Sequence, residues 1–343
     1  MKKQYLSMAG LVFLAGTLIS AQPALCQEDS YYEKHHHDPL DVSSVATAPT
    51  TTKTAVTEVA RIVSKGIANA VRPNRFSGRV AVNTDESMTG LSAGDSGQNL
   101  GVWANAAYTD SEDDDRATRN EADLRTYTLG VDYRFTDKIA LGIAFTHEDM
   151  DAATYFNDGN MSSNGYTITP FIAMLLNDNI SLDLMYGYSN IDIDQERATD
   201  IKGTLYAKRN FAQVSANYYL SMDRLNLTGT LGYLYAHEYQ ESFRETNLNK
   251  VDSVTIDLGQ IFAGAEVSYS FDALEPYLGI AYENDVQHEE TEGIKYDHTG
   301  GSANAGVRFL VSDSFSGDLE GRTLFSRGDF DEYSVMLNLR FAL

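Results

Sequence analysis

From residue 100 to the C-terminus, apolar residues fall at every second position, and no other feature of the chain restricts its fold as tightly. The last segment shows it most cleanly. Tyr333, Val335, Leu337, Leu339, Phe341 and Leu343 alternate with Ser334, Met336, Asn338, Arg340 and Ala342. Similar rows run through Tyr127, Leu129, Val131, Tyr133 and Phe135, through Ile139, Leu141, Ile143 and Phe145, and through Ile180, Leu182, Leu184, Tyr186 and Tyr188. A period of two places successive side chains on opposite faces of a strand, so these rows predict β-strands with one apolar and one polar face.

Twelve such segments can be read, starting near residues 101, 123, 138, 162, 179, 203, 224, 251, 274, 297, 314 and 331. Tight turns fall at 136–137, 177–178, 222–223, 272–273 and 312–313, each joining an even-numbered strand to the next odd one. The odd-to-even connections are acidic and mostly long, covering 110–123, 149–160, 192–202, 238–250 and 285–298. Strict alternation of short and long connections is the pattern of outer-membrane barrels, which close on themselves and leave no edge unpaired in lipid. The reading is therefore all-β, a 12-stranded antiparallel transmembrane β-barrel over residues 100–343. One strand, near 251–271, loses its apolar parity between Leu258 and Ile261, which predicts either a bulge or the point where the strand leaves the membrane.

Composition agrees with this class. A formal charge of −23 argues against nucleic-acid binding, which needs a basic face. Mean hydropathy is −0.31, and the longest apolar run beyond the N-terminal segment is residues 171–176, so spanning helices are excluded. The 21 Tyr and 15 Phe against one Trp suit the aromatic girdles of a barrel.

The N-terminus sets the compartment. Lys2 and Lys3, an apolar stretch from 11 to 19, and Ala24-Leu25-Cys26 read as a signal peptide over residues 1–26. Pro23-Ala24-Leu25 is a poor lipobox, and the mature chain then holds no cysteine. Residues 27–53, with His35, His36 and His37, read as disordered. Residues 54–72 predict one amphipathic helix, with Val56, Val59, Ile62, Val63, Gly66, Ile67 and Ala70 on a single stripe and Pro73 beyond its end. Residues 73–99 read as a Gly/Ser/Asp-rich linker.

A lumen of twelve strands has room for about one helix, whose width is about 10–12 Å. Parity turns Asp132, Arg134, Asp183, Arg308, Asp318, Glu320, Arg322 and Arg340 inward. These charges either pair with one another and with Arg61 and Lys65 of a helical plug, or line a water-filled pore.

The barrel segments resemble the translocator domain of autotransporters, the type V secretion family. Gly101-Val102-Trp103-Ala104 is similar to that family's first strand, and Leu129-Gly130-Val131-Asp132-Tyr133-Arg134 followed by Ile139-Ala140-Leu141-Gly142 to its next hairpin. Glu275-Pro276-Tyr277-Leu278-Gly279 resembles a late strand, and Ser326-Arg327-Gly328-Asp329-Phe330 with the final strand resembles the last hairpin. The resemblance implies a Gram-negative outer-membrane location, a pore-threading helix at 54–72, and a C-terminal assembly signal in Tyr333, Leu337, Leu339, Phe341 and Leu343. It also implies outer-membrane lipid, lipopolysaccharide and the barrel-assembly machinery as partners, and a monomer. Two features depart from the family. The chain ends Phe341-Ala342-Leu343 where a terminal aromatic is usual, and the stretch between the expected cleavage site and the helix is too short for a folded passenger. The expected function is a translocator that passes its short N-terminal segment outward. A small porin-like channel, or an adhesin acting through long acidic loops, is the alternative.

No catalytic or cofactor motif rises above this reading. Gly94-Asp95-Ser96-Gly97 matches a serine-protease nucleophile sequence, but it sits in a linker with no protease fold before it. The His35-His36-His37 run and the acidic group of Asp110, Glu112, Asp113, Asp114 and Asp115 are read as solvated rather than metal-binding, the second because it lacks a Gly-turned calcium loop. No cofactor, metal site or enzymatic activity is expected.

Overall fold

The computed structural model describes residues 42–71, 99–115, 117–198, 200–288, 298–312 and 314–343. The expected signal peptide, the His-containing run and the Gly94-Asp95-Ser96-Gly97 motif lie outside them. Among the described residues one helix, α1 (Ser43–Val71), is followed by twelve barrel strands. These are β1 (Leu100–Asp113), β2 (Asn120–Thr136), β3 (Ile139–Thr154), β4 (Gly159–Asn177), β5 (Ile180–Arg197) and β6 (Ile201–Met222), then β7 (Leu225–Gln240), β8 (Val254–Tyr269), β9 (Leu274–His288), β10 (Thr299–Ser312), β11 (Phe315–Phe325) and β12 (Phe330–Ala342).

Every strand pairs antiparallel with its sequence neighbour, and β1 closes the barrel on β12 from Gly101 opposite Ala342 to Asp113 opposite Phe330. Closure satisfies both edges of the sheet, which hydrocarbon could not solvate. A small ribbon, Phe243–Arg244 against Lys250–Val251, folds within the β7–β8 connection.

The strands are longer than a membrane requires, and this corrects the expected loops. A tilted strand crosses a bilayer in about 9–11 residues, whereas β5 has 18 and β6 has 22. The excess lies at the end carrying the odd-to-even connections. Most of the acidic segments read as long loops are strand there, and the true connections shrink to stretches such as 114–119 and 155–158. Among the described residues, 241–253 is longer.

Polarity reverses along β5 while the facing of its residues stays fixed. On β5, Leu184 and Tyr186 point outward, with Asp183 and Ser189 inward. Further along, Asp192 and Asp194 point outward, with Ile191 and Ile193 buried inside. The barrel thus has a lipid-facing band and, above it, a collar with an acidic exterior and a dry interior. Leu124, Met150, Met161, Ile191, Ile193, Leu205 and Phe243 form the collar's core. The parity loss at 258–261 is this reversal. Ile256 and Leu258 are buried in the collar, Ile261 faces out below it, and the register against β9 also shifts between Gly259 and Gln260.

Within the band, aromatic rings on the inner wall lie over glycines of the adjacent strand. A Cβ at Gly142 would meet Phe171, one at Gly187 would meet Phe211, and one at Gly232 would meet Phe262.

The helix starts at Ser43, not 54, so residues 43–53 are helical rather than disordered. Threonines and Pro49 make this half a poor helix by intrinsic preference. Burial decides otherwise. Ala48, Thr52, Lys53 and Thr54 are all enclosed, and the threonine hydroxyls donate back into the helix. Thr47 donates to the Ser43 carbonyl at 2.9 Å, Thr51 to that of Thr47 at 2.9 Å, and Thr57 to that of Lys53 at 2.8 Å.

Candidate functional site: the helix-filled lumen

The helix lies inside the barrel with a different chemistry on each side. Val56, Val59, Ile62, Val63, Ile67 and Ala70 are buried in one cluster with Trp103, Phe171, Met185, Phe211, Leu258 and Met336 of the wall. This is the stripe read from the sequence, and its burial holds the helix against the wall by the hydrophobic effect.

The other side is ionic. Lys53 Nζ stands 2.5 Å from Asp285 Oδ2 on β9, and Arg327 donates to the same carboxylate at 3.0 Å and to Glu283 at 3.1 Å. Arg61 pairs with Glu58 one turn earlier, at 2.7 Å, and with Glu320 on β11. Lys65 donates to Glu320 at 2.6 Å, to Asp318 at 3.2 Å and to the Tyr277 hydroxyl at 2.9 Å. Lys53, Arg61 and Lys65 thus face a column of carboxylates on β9 and β11. Pairs this buried are held by geometry, because removing either charge strands the other away from water.

The remaining inward charges lie as follows. Arg340 donates twice to Asp132 at 2.7 Å, bracing β12 against β2. Arg134 donates to the Ala70 carbonyl at 3.2 Å, a cation on the unsatisfied C-terminal end of the helix. Asp183 accepts from Asn217 at 2.6 Å. Arg308 pairs with Glu266 at 2.7 Å and Glu275 at 2.8 Å, over the Tyr277 ring. Arg322 ties Glu283 to Glu332. Of the eight inward charges read from sequence, Asp318, Glu320 and Arg134 bond the helix directly.

Sequence reasoning missed Lys53, Glu58, Asp285, Glu283, Arg327 and Glu332. It also missed a second buried group, Arg209 between Glu148 (2.9 Å) and Glu238 (2.7 Å). Glu58 could have been found from its three-residue spacing to Arg61. Asp285 shares the parity of Tyr277, but the sequence reading places it in the acidic 285–298 connection.

The helix has a direction. Its first turn is bound where the odd-to-even connections gather. Ser43 Oγ is 3.0 Å from Thr154 Oγ1, Asn157 donates to Ser43 at 2.8 Å, and the Ser44 amide donates to Gln195 at 2.8 Å. Its last turn meets Arg134 beside the tight β2–β3 turn. The N-terminal end therefore lies at the collar and the C-terminal end at the tight-turn mouth.

On β12, Tyr333, Leu337 and Phe341 are exposed on the lipid-facing side, with Leu339 partly so, and Leu343 just beyond the strand is exposed as well. In the acidic group after β1, Asp113 accepts from the Asp115 amide at 3.0 Å and from Thr118 at 2.9 Å, and Asp115 accepts from the Ala117 amide at 2.8 Å. These carboxylates brace a turn.

Residues 102–322 match the sequence profile of the Autotransporter beta-domain family. Among solved structures, the barrel is similar to the translocator domain of autotransporter NalP from Neisseria meningitidis. The TM-score is 0.69 at 14% identity, covering 87% of this chain and 99% of that one. It is also similar to the β-domain of the Bordetella autotransporter BrkA (TM-score 0.59, 12% identity, 71% and 100% covered). The transport unit of AIDA-I from Escherichia coli matches at TM-score 0.59 and 11% identity, with 81% and 98% covered. At such identities the likeness concerns the fold. No curated protein sequence matches the chain.

Proposed function

The chain belongs to the autotransporter β-domain family, the translocator barrels of Gram-negative outer membranes, and from that premise we propose that it carries its own N-terminal segment outward and keeps α1 in the pore as tether and plug. The observation that supports this is the direction of the helix. Ser43 lies in the collar, at the end where the strands extend beyond the lipid band and the odd-to-even connections gather, the end that outer-membrane barrels present to the exterior, and Ala70 lies beside a tight, periplasmic-type turn. A segment preceding Ser43 then emerges outside the cell. Movement needs neither nucleotide nor catalytic side chains, and the family is not an enzyme class.

The partners follow from the surfaces. Outward Tyr333, Leu337, Leu339, Phe341 and Leu343 form the strand that the assembly machinery would engage. The collar's Asp110, Glu121, Asp151, Asp192 and Asp194 face the layer of lipopolysaccharide phosphates, and divalent cations would bridge the two. The barrel acts as a monomer.

The test is an epitope placed before Ser43 and protease added to intact cells. Cleavage without permeabilisation is expected; cleavage only after the outer membrane is opened would place the segment in the periplasm and end the proposal.

A further inference from the structure

We infer that Trp103, held between Gly66 of α1 and Gly130 of β2, is the stop that sets how far the helix travels outward through the pore. The inference rests on the reading that α1 comes to rest there after the segment before it has passed.

The covalent chain does not fix this depth. Between Val71 and Leu100 lie residues 72–99, which at about 3.3–3.6 Å per residue allow a reach of up to ~90 Å, several times the thickness of a membrane. The ion pairs do not fix it alone either. Lys53 meets Asp285, Arg61 meets Glu320, and Lys65 meets both Glu320 and Asp318. An outward slide of one helical turn, about 5.4 Å, puts Lys65 where Arg61 stands, beside the Glu320 that both already reach.

Trp103 is different because its fit is steric. It is the single tryptophan of the chain and is 1% exposed. A Cβ on Gly66 would stand 2.6 Å from its Cε2 and 2.8 Å from its Cη2, and nearer still to Cζ2. On the strand side, a Cβ on Gly130 would stand 2.6 Å from Nε1 and nearer to Cε2 and Cζ2. The indole therefore occupies a slot that exists only where two glycines oppose each other. One turn in either direction along the helix offers Ile62 and Val63, or Ala70, and every one of these carries the Cβ that the slot cannot take. A glycine inside a helix is less favourable than alanine, and here it accompanies the close approach of the indole.

Depth can be read at the far end of the helix. Ser43 and Thr154 have hydroxyls 3.0 Å apart in the collar, so in a Cys26→Ser background the pair Ser43→Cys with Thr154→Cys should form a disulfide in the purified, refolded full chain. Thr47 lies one turn later, so Thr47→Cys with Thr154→Cys reports a helix displaced outward by a turn. With Trp103 present, the first pair should close and the second should not. Trp103→Ala should lower the first yield and produce the second. Gly66→Val should lower the first yield roughly tenfold, about 1.4 kcal/mol of overpacking, and Trp103→Ala added to it should restore closure in one of the two registers. If Trp103→Ala leaves the first yield unchanged with no displaced product, the stop does not exist. Should Gly66→Val fail to give a heat-modifiable barrel, the Trp103→Ala arm decides by itself. The cross-link is read in purified protein and export on intact cells, so either can fail without the other.

Discussion

Lys53 of the helix and Asp285 of β9 meet at 2.5 Å inside the collar, and Asp285 also accepts from Arg327 at 3.0 Å, so one buried carboxylate holds two cations from different elements. The two partners are therefore unequal. Lys53→Met leaves Asp285 with Arg327 and with Gln260, which donates to it at 2.8 Å, and should cost only ~1 kcal/mol. Asp285→Asn leaves both Lys53 and Arg327 short of their shared counter-charge and should cost ~3 kcal/mol, the low end for breaking a buried pair. Urea midpoints of the two variants in the same detergent check the order; equal loss would mean that Asp285 does not act as the junction.

Outside the lipid band, Arg197 closes the β7–β8 connection through two 2.7 Å hydrogen bonds to Glu245. Burial pushes the Glu245 carboxyl up, but the hydrogen bonds and charge of Arg197 overcome this and hold it below its ordinary value of 4.5. A carboxyl depressed in the folded state binds its proton more weakly there than in the open loop. Its contribution is thus complete above the ordinary value and is lost as pH falls through the lower, folded one. The ribbon of Phe243–Arg244 and Lys250–Val251 should accordingly resist amide exchange at pH 6 and open progressively below about pH 4. Glu245→Gln should exchange fast at both pH values, and a wild-type ribbon equally protected at pH 3 would contradict this.

Much of the barrel was legible because a single rule, apolar residues outward at every second position, holds wherever hydrocarbon is the solvent. Strand number, closure and the tight turns follow from it, and β12 reads straight off Tyr333 to Phe341. The rule inverts where the strands rise into water. Asp192 and Asp194 then take the outward positions and Ile191 and Ile193 the inward ones, so the upper strands look like acidic loops, and Glu148, Glu238 and Asp285 disappeared into them. The first half of the helix was hidden for a related reason. Its threonines and Pro49 are poor helix formers in water, and only the enclosing wall makes their burial favourable, which a local reading of residues 43–53 cannot register.

The collar's exterior should respond to divalent cations. Asp110, Glu121 and Asp151 are exposed there, and Arg125 lies 3.3 Å from Asp151. If bridges to lipopolysaccharide phosphates form, EDTA should lower the temperature of heat modification in lipopolysaccharide micelles and leave it unchanged in a neutral detergent. An equal effect in both, or none in either, would remove the bridging idea.

Removal of α1 should open the pore. Among the described residues the lumen is occupied by the helix, whose Val59, Ile62, Val63 and Ile67 are wholly buried against the wall while its cations meet the carboxylate column. Deleting residues 43–71 takes away Lys53, Arg61 and Lys65 together and leaves Asp318, Glu320 and Asp285 lining water. Conductance in planar bilayers should then rise sharply, and the acidic column should make the open pore cation-selective, since carboxylates freed of their partners repel anions. Glu320→Gln with Asp318→Asn in the deleted chain should reduce that selectivity with little change in conductance. A deleted barrel that is heat-modifiable yet conducts no better than the parent would mean that the helix is not what closes it.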